Sequence, residues 1–231
     1  MSRLSRWSRI AVGVAGVLVA VIVFDRGVDH DVFRRAALSS LYHDARRWVA
    51  AIPAGAYDRD PAIVYWGDSL TAGSGATSGH DFPSLIAFLY HRRSLNLGVA
   101  GETSRQIRDR FLARAKPRGP EAVVIWAGRN NTGQPARIES DIRDMIDSLN
   151  PDSKFLEFGV ISAADPGEQR GADEYDLIMG LNAKLAAAYG ARFVPIHEIL
   201  MAAGNRRLHL DDAGQAVVAA AVESAMAANG W

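Results

Sequence analysis

The chain has 231 residues, of which 48% are apolar and 23% are charged, a balance that predicts one globular domain with a sizeable core. Its 26 basic and 26 acidic residues cancel, so no overall field indicates nucleic acid as a partner. The absence of cysteine excludes disulfides, thiolate metal sites and a cysteine nucleophile.

The first predicted element is a membrane-directed segment. Arg3, Arg6 and Arg9 precede an uncharged apolar run over residues 10–24. At about 1.5 Å per residue this run is short for a hydrocarbon core of about 30 Å, so a cleaved signal peptide is the alternative. No Ala-x-Ala-like pair closes the run, which favours an uncleaved signal anchor at 10–24. Because the arginines precede the span, the basic tail at 1–9 is predicted to be cytoplasmic and the rest of the chain to lie outside the cytoplasm.

A connector follows at residues 25–60. Phe33, Leu41, Trp48 and Ile52 recur at near-helical spacing among arginines. This pattern predicts a juxtamembrane amphipathic helix or, equally, a helix that packs on the domain with a solvated basic face. No chemistry is assigned to it.

Residues 61–231 alternate between short apolar runs and longer helical stretches, which predicts an α/β domain with a parallel sheet. The predicted strands are 62–66, 94–99, 121–127, 154–161 and 191–196. The predicted helices are 82–92, 104–116, 136–149, 174–189 and 212–228. We therefore expect a flavodoxin-like three-layer α/β/α fold with five parallel strands, preceded by the N-terminal membrane helix.

Ligands of such sheets bind beyond the carboxyl ends of the strands, so the turns after the strands are informative. The first three turns are Gly-Asp-Ser-Leu at 67–70, Asn-Leu-Gly-Val-Ala-Gly-Glu-Thr at 96–103 and Gly-Arg-Asn-Asn at 128–131, and a histidine stands late in the chain at 209. Together they supply a hydroxyl, an imidazole, glycine amides and a carboxamide. These groups suit acyl transfer, because a serine needs a base and the resulting oxyanion needs donors.

These four blocks resemble, in order, those of the SGNH or GDSL hydrolases. The first block, Gly-Asp-Ser-Leu-Thr-Ala-Gly at 67–73, is most similar to the bacterial periplasmic thioesterase/lysophospholipase and arylesterase branch. The resemblance covers about residues 62–228. It implies that Ser69 is the nucleophile, that His209 is the base, and that Ser69 N–H, Gly101 N–H and the Asn130 amide form the oxyanion hole. It also implies a location on the periplasmic face of a bacterial inner membrane.

One departure from the family concerns the third member of the triad. The family usually has an Asp three residues before the catalytic His, and Arg206 stands there. Such an acid fixes the imidazole tautomer and stabilises its cation. Two interpretations stay open: a Ser-His dyad, which in some family members has a backbone carbonyl that holds the imidazole, or recruitment of Glu198 or Asp212 as the acid that orients His209.

A second departure lies in the third block, and the site residues also have simpler structural roles open to them. Asn131 replaces an Asp that commonly follows the third-block Asn, which predicts looser support of that loop. Ser69 as a helix cap, Gly101 as a turn and Asn130 as a loop amide are the structural alternatives, and Asp211 is expected to cap the last helix. The remaining histidines are expected to be surface or packing residues, namely His30, His43, His80, His91 and His197.

No cofactor and no metal are expected. The glycines after the first strand lack dinucleotide-binding spacing, since Ser78 occupies the third glycine position. The basic residues at 105–118 are interpreted either as a face for anionic lipid or as a solvated helix face. The expected partners are the membrane, through the N-terminal helix, and a small-molecule, lipid or glycan ester, with no nucleic acid. The alternative to an esterase is an inactive domain that binds an acylated envelope polymer.

Overall fold

The computed structural model describes residues 63–114 and 121–231. The predicted cytoplasmic tail, membrane anchor and connector lie outside the described residues. Within those two ranges, no helix is both long enough and apolar enough to cross a bilayer.

Five parallel strands form one sheet. The strands are β1 (Ile63–Gly67), β2 (Ser94–Gly98), β3 (Ala122–Trp126), β4 (Lys154–Phe158) and β5 (Phe193–Val194). Their order across the sheet is β2-β1-β3-β4-β5, and every adjacent pair is parallel. This order confirms the predicted five-stranded parallel sheet.

Seven α-helices connect or cover the strands in the described part of the chain. They are α1 (Ser69–Ala72), α2 (Phe82–Leu89), α3 (Ser104–Ala113), α4 (Pro135–Asp147), α5 (Asp173–Tyr189), α6 (Ile196–Ala202) and α7 (Asp212–Ala228). The short helices α1 and α6 were not predicted. Four residues and seven residues are too few for a helical period to stand out from the neighbouring apolar run.

Two apolar layers flank the sheet. Alternate side chains of β1, β3 and β4 pack with α2, α6 and α7 on one face, and the intervening ones pack with α3, α4 and α5 on the other. Strands buried on both faces are continuous apolar runs, as in Ile-Val-Tyr-Trp of β1 and Ala-Val-Val-Ile-Trp of β3. The domain therefore has helices on both faces of the sheet.

The order of the strands fixes where a site forms. The chain leaves β1 toward β2 on one side and returns to β3 on the other, so the strand order reverses beside β1. Crevices open at the carboxyl ends of strands at such a reversal. The turns after β1, β2 and β3 therefore share one edge of the sheet.

Candidate active site

Ser69 stands where β1 passes into α1. It is the first residue of that helix, and Asp68 is the N-cap, whose Oδ1 accepts a hydrogen bond from Leu70 N at 2.9 Å. The first amides of a helix have no helical acceptor, so the Ser69 N–H is not used by α1. The side chain of Ser69 is 7% exposed, with its neighbour Leu70 fully buried beneath it. The turn thus fixes a serine at the rim of the sheet with its backbone donor free of the helix.

Ser69 and His209 are brought together from distant parts of the sequence. His209 Nε2 lies 3.1 Å from Ser69 Oγ. This is hydrogen-bond distance for a serine and the base that would accept its proton. Ser69 is buried while His209 is exposed, so the pair lies at an open surface that a substrate can reach.

The loop that carries His209 is anchored on both sides. The next residue, Leu210, is fully buried in the core. Asp211 is the N-cap of α7, where its Oδ1 accepts from Gly214 N at 3.0 Å, which confirms its predicted role. The buried Asn205 donates from Nδ2 to the same Oδ1 at 3.3 Å and accepts from Arg207 N at 3.1 Å. These bonds hold the loop backbone without using the imidazole.

A second loop, residues 73–81, packs against the His209 loop. A Cβ added to Gly75 would lie 2.9 Å from the Leu210 carbonyl oxygen and 3.0 Å from His209 Cβ, so only glycine permits this approach. Thr77 donates from N and from Oγ1 to the two carboxylate oxygens of Asp212, each at 2.7 Å. The Thr77–Asp212 contact therefore ties the segment after Ser69 to the segment after His209.

The structure does not bring Asp212 or Glu198 to the imidazole. Both Asp212 oxygens accept from Thr77, and Glu198 is an exposed residue in the first turn of α6. In the part of the chain that the structure describes, the His209 ring has one hydrogen bond, to Ser69, and no ion pair. Arg206 is exposed and also makes no contact with His209 there.

Gly101 and Asn130, the other predicted oxyanion donors, follow β2 and β3. Gly101 is exposed and has a φ of +81, a backbone conformation that residues with a side chain rarely adopt. Asn130 donates from Nδ2 to the Glu102 carbonyl oxygen at 2.9 Å and approaches Asp68 Oδ2 at 3.4 Å. The first bond orients the amide, whereas the second is long and weak. The Asn130 amide is thus oriented by the loop after β2 and lies beside the Ser69 turn, to which it is only weakly bonded.

Asn131 supports the same loop in spite of the missing Asp. Its Oδ1 accepts from Ser104 N and its Nδ2 donates to Ser104 Oγ, each at 3.0 Å. Ser104 Oγ then donates to the fully buried Asp141 at 2.7 Å. The predicted loosening of this loop was wrong, because an amide lets the Ser104 hydroxyl accept from Asn131 and still donate to Asp141.

Asp68 is the titratable group next to Ser69. Its side chain is 1% exposed, and burial raises its pKa to about 6, opposed by the hydrogen bond from Leu70 N and by the charge of Arg129. A carboxylate that is costly to ionise is retained here because it caps α1. It is therefore a structural part of the Ser69 turn.

Two positioning contacts were missed by sequence reasoning. Gln215 in α7 is fully buried, accepts from Phe82 N at 2.9 Å and donates to Leu70 O at 3.3 Å, which links α7 to the Ser69 turn. Arg129 pairs with Glu168 at 2.7 Å, and Glu168 Oε2 also accepts from Ala163 N. This pair ties the Asn130 loop to the loop after β4. Neither contact leaves a local pattern, since each joins residues far apart in sequence.

The described arginines between residues 105 and 114 form ion pairs with acidic side chains. Arg108 contacts Asp141 and Asp144, Arg110 contacts Glu102, and Arg114 contacts Glu121. These ion pairs favour a structural role for the arginines on α3 over a lipid-binding face.

His197 was predicted to be a surface or packing residue. It is 3% exposed and accepts a hydrogen bond from Ser162 N through Nδ1, which confirms a packing role.

Comparison with known proteins gives the family. The sequence profile of the GDSL-like lipase/acylhydrolase family matches residues 65–217. No curated protein sequence matches the chain.

Three solved structures illustrate the similarity. The SGNH-hydrolase family esterase AlinE4 is 25% identical, with a TM-score of 0.53 over 75% of this chain and 98% of that one. A GDSL-like lipase from Bacteroides thetaiotaomicron is 20% identical, with a TM-score of 0.57 over 80% and 98% of the two chains. A lipolytic protein of the G-D-S-L family from Veillonella parvula is 15% identical, with a TM-score of 0.58 over 71% and 97%. The last two similarities show a shared fold. Because the family profile runs from β1 into α7 and so covers most of the described domain, this chain belongs to the GDSL-like lipase/acylhydrolase family and is an SGNH-type ester hydrolase.

Proposed function

We propose that the chain hydrolyses carboxylic esters or thioesters through an acyl-enzyme on Ser69, with His209 as general base and acid. The observation that carries this proposal is the 3.1 Å separation of His209 Nε2 and Ser69 Oγ. Serine is a weak nucleophile until a neighbouring base accepts its proton. No other described residue contributes a ring nitrogen to that hydroxyl.

Acylation begins when Ser69 Oγ attacks the ester carbonyl carbon and its proton passes to His209 Nε2. The carbonyl oxygen becomes an oxyanion, for which Ser69 N–H, Gly101 N–H and the Asn130 amide are the donors. The intermediate collapses when His209 donates that proton to the leaving oxygen or sulfur, and the alcohol or thiol departs. The acyl group is then bound to Ser69 as an ester.

Deacylation uses the same groups in reverse roles. His209 Nε2 accepts a proton from a water molecule, whose oxygen attacks the acyl carbon. The second oxyanion occupies the same donors, and collapse returns the proton from His209 to Ser69 Oγ as the carboxylic acid leaves. The cycle restores both residues without a cofactor.

The mechanism we propose is a dyad. For Nε2 to accept the serine proton, Nδ1 must carry the other hydrogen. Since His209 is exposed, water can hydrate that N–H. The Asn205 side chain and the Asp211 helix cap hold the loop through bonds that do not use the imidazole. Asp212 bonds to Thr77, so among the described residues no carboxylate bonds to the imidazole.

A lipid ester or an acylated envelope glycan is the substrate class that we propose. The Ser69–His209 pair lies at an open rim, where a large acylated molecule can present one ester bond. We further propose that residues 10–24 anchor the protein in a bacterial inner membrane with the domain on the periplasmic face. If so, deletion of residues 1–24 should move the protein from the membrane fraction to the soluble fraction with its esterase activity retained.

No carboxylate among the described residues bonds to His209, which favours one alternative, a weak or inactive domain that binds an acylated envelope polymer. A serine-directed fluorophosphonate probe separates the two functions. An activated Ser69 reacts covalently with the probe, and mass spectrometry should find the adduct on Ser69. A binding domain without an activated serine would stay unlabelled and would not hydrolyse p-nitrophenyl butyrate.

A further inference from the structure

An open groove borders the loop that carries His209. It has a volume of about 580 Å³ and is lined by Ala163, Ala164, Asp165, Gly204, Arg206, Arg207 and Leu208. One wall is the loop after β4, and the other is the segment that ends one residue before His209. A volume of this size is in the range of small-molecule sites. The groove is therefore large enough for one moiety of a substrate whose ester bond lies at Ser69.

The charge of the groove comes from its two arginines and one aspartate. Asp165 Oδ1 accepts from Gly167 N at 2.9 Å, so this carboxylate already serves the turn of its own loop. Arg207 Nε lies 4.0 Å from Asp211 Oδ2, so the positive charge of Arg207 is partly offset by that carboxylate. Arg206 is exposed and has no ion-pair partner among the described residues. The groove thus presents one uncompensated guanidinium.

The backbone around Arg206 is held in place. Asn205 is 7% exposed and makes three bonds: N to Leu200 O at 2.9 Å, Nδ2 to Asp211 Oδ1, and Oδ1 from Arg207 N. These bonds flank Arg206 on both sides in the sequence. A guanidinium on a fixed backbone loses less freedom when it binds an anion than one on a mobile loop.

We propose that Arg206, assisted by Arg207, recognises a carboxylate or phosphate on the alcohol moiety of the ester. This inference rests on the proposed function of the Ser69–His209 pair and names the substrate of that same site. The alcohol side is chosen on chemical grounds. His209 Nε2 must reach the leaving oxygen, so the alcohol lies beside the His209 loop, while the oxyanion faces the loops after β2 and β3.

An anionic alcohol explains why a cation is compatible with this position. An unpaired guanidinium near His209 would disfavour the imidazolium that forms during acyl transfer. A bound anion offsets that charge when the substrate is present. Arg206 then discriminates between esters by the charge of the leaving group and stands as a specificity-determining residue.

Two matched pairs of esters test the proposal with the full-length protein purified in a non-ionic detergent. 4-Acetoxybenzoate and its methyl ester share the acetyl group and differ in the charge of the leaving phenol. p-Nitrophenyl hemisuccinate and p-nitrophenyl butyrate share the leaving group and differ in the charge of the acyl chain. For each pair the ratio of kcat/KM for the anionic ester to that for the neutral one is compared between variants, so that differences in intrinsic reactivity cancel.

Arg206→Gln should lower the ratio for the 4-acetoxybenzoate pair by roughly three- to tenfold. This range lies between the loss of an exposed ion pair and the loss of a hydrogen bond to a charged group. Arg206→Lys should retain part of the preference, and salt should weaken it in wild type. The matched control is Arg192→Gln, which removes an exposed arginine at the opposite, amino end of β5 and should leave the ratio unchanged.

Three results would overturn the proposal. The first is an equal ratio for the 4-acetoxybenzoate pair in wild type and Arg206→Gln. The second is an equal fall of that ratio in the Arg192→Gln control. The third is a response of the hemisuccinate pair alone, which would place the anion on the acyl side. Failure of the proposed function gives a different result, because Ser69→Ala would then hydrolyse the neutral esters as fast as wild type. A phosphate monoester analogue, 4-acetoxyphenyl phosphate, distinguishes phosphate from carboxylate as the preferred anion.

Discussion

At the residue scale, the Ser69–His209 pair is positioned by backbone contacts of its neighbours. Asp68 caps the helix that begins at Ser69, and Asp211 caps the helix that follows His209. Leu210 is fully buried and fixes the register of the His209 loop against the core. The imidazole itself hydrogen-bonds to Ser69 alone among the described residues. Contacts made by neighbouring residues therefore hold the pair in register.

The oxyanion hole gives the first prediction. Asn130→Ala should lower kcat by about a hundredfold to a thousandfold with little change in KM, because a donor that acts on the developing negative charge contributes to the transition state more than to substrate binding. Steady-state kinetics with p-nitrophenyl butyrate measures both constants. Asn131→Ala serves as a comparison, since Asn131 holds Ser104 and not the oxyanion. A rise in KM at unchanged kcat would make Asn130 a substrate-positioning residue.

The dyad gives the second prediction. Arg206→Asp should raise kcat on neutral esters by about tenfold or more, because it introduces an acid where the family places one, by analogy with the triad in which loss of the Asp costs about ten-thousandfold. Glu198→Gln should have little effect, since its carboxylate makes no described contact with His209. Turnover of the three single variants, including Asp212→Asn, is compared with wild type.

Asp212→Asn needs its own control. This substitution also weakens the two bonds from Thr77, so a modest loss could come from the loop and not from the imidazole. Thr77→Val keeps the backbone bond to Asp212 and removes the hydroxyl bonds to Asp212 and His80, so it should reproduce that loss. A large loss in Asp212→Asn or Glu198→Gln that Thr77→Val does not match, with no gain in Arg206→Asp, would contradict the dyad.

At the element scale, the sequence predicted the strands better than their ends. Residues 154–161 were expected to form one strand, but β4 ends at Phe158, because the backbone of Val160 bonds instead to the side chain of Asn182. Residues 191–196 were also expected to be a strand, but β5 spans only Phe193–Val194. The strand starts late because Gly190–Arg192 form a 3-10 turn, and it ends at Val194 because Pro195 has no N–H for the sheet ladder and begins the turn into α6.

The ends of the helices were also predicted less well than their positions. The helix predicted to end at Arg92 ends at Leu89, and His91 has φ +55, which no helix accommodates. The four blocks that bear Ser69, Gly101, Asn130 and His209 were predicted because they follow strands and resemble, in order, the four blocks of a known family. Gln215 and the Arg129–Glu168 pair were not, because a buried polar contact between distant segments has no periodic pattern.

Gln215 gives the third prediction. Gln215→Leu should lower the free energy of unfolding by about 1–3 kcal/mol, because a leucine fills the volume but leaves Phe82 N–H and Leu70 C=O buried without a partner. Urea denaturation measures this loss. Gln134→Leu, at an exposed glutamine without a side-chain cap bond, is the control and should change stability by less than about 0.5 kcal/mol. Equal stability of the two variants would show that the Gln215 bonds contribute nothing.

At the scale of the whole molecule, two buried acids contribute to the pH dependence of stability. Glu157 on β4 is fully buried, neither of its oxygens has a partner in the described structure, and burial raises its pKa well above 4.5. Asp68 adds an effect of the same sign, with its pKa raised from 3.8 to about 6. When the folded pKa of an acid exceeds the unfolded one, the folded state binds more protons, so stability falls as pH rises above the unfolded value.

Glu157→Gln gives the fourth prediction. A neutral amide of the same shape removes the cost of either ionising the buried carboxyl or keeping it protonated. The free energy of unfolding of the Glu157→Gln variant should equal that of wild type near pH 4.5. As pH rises to 8, the variant should become increasingly more stable than wild type. Denaturation at several pH values measures the difference. Asp152→Asn, at an exposed carboxylate, is the control and should show no such trend. A wild type that gained stability relative to Glu157→Gln with rising pH would contradict the assignment.

The most direct measurement is the hydrolysis of p-nitrophenyl butyrate by wild type, Ser69→Ala and His209→Ala, with folding of each verified by circular dichroism. Wild type should turn over the ester, and a fluorophosphonate should label Ser69. Both variants should lose nearly all activity to a similar extent, because nucleophile and base act as one unit and their losses do not add. Undiminished hydrolysis by folded Ser69→Ala would contradict the central claim that Ser69 is the nucleophile.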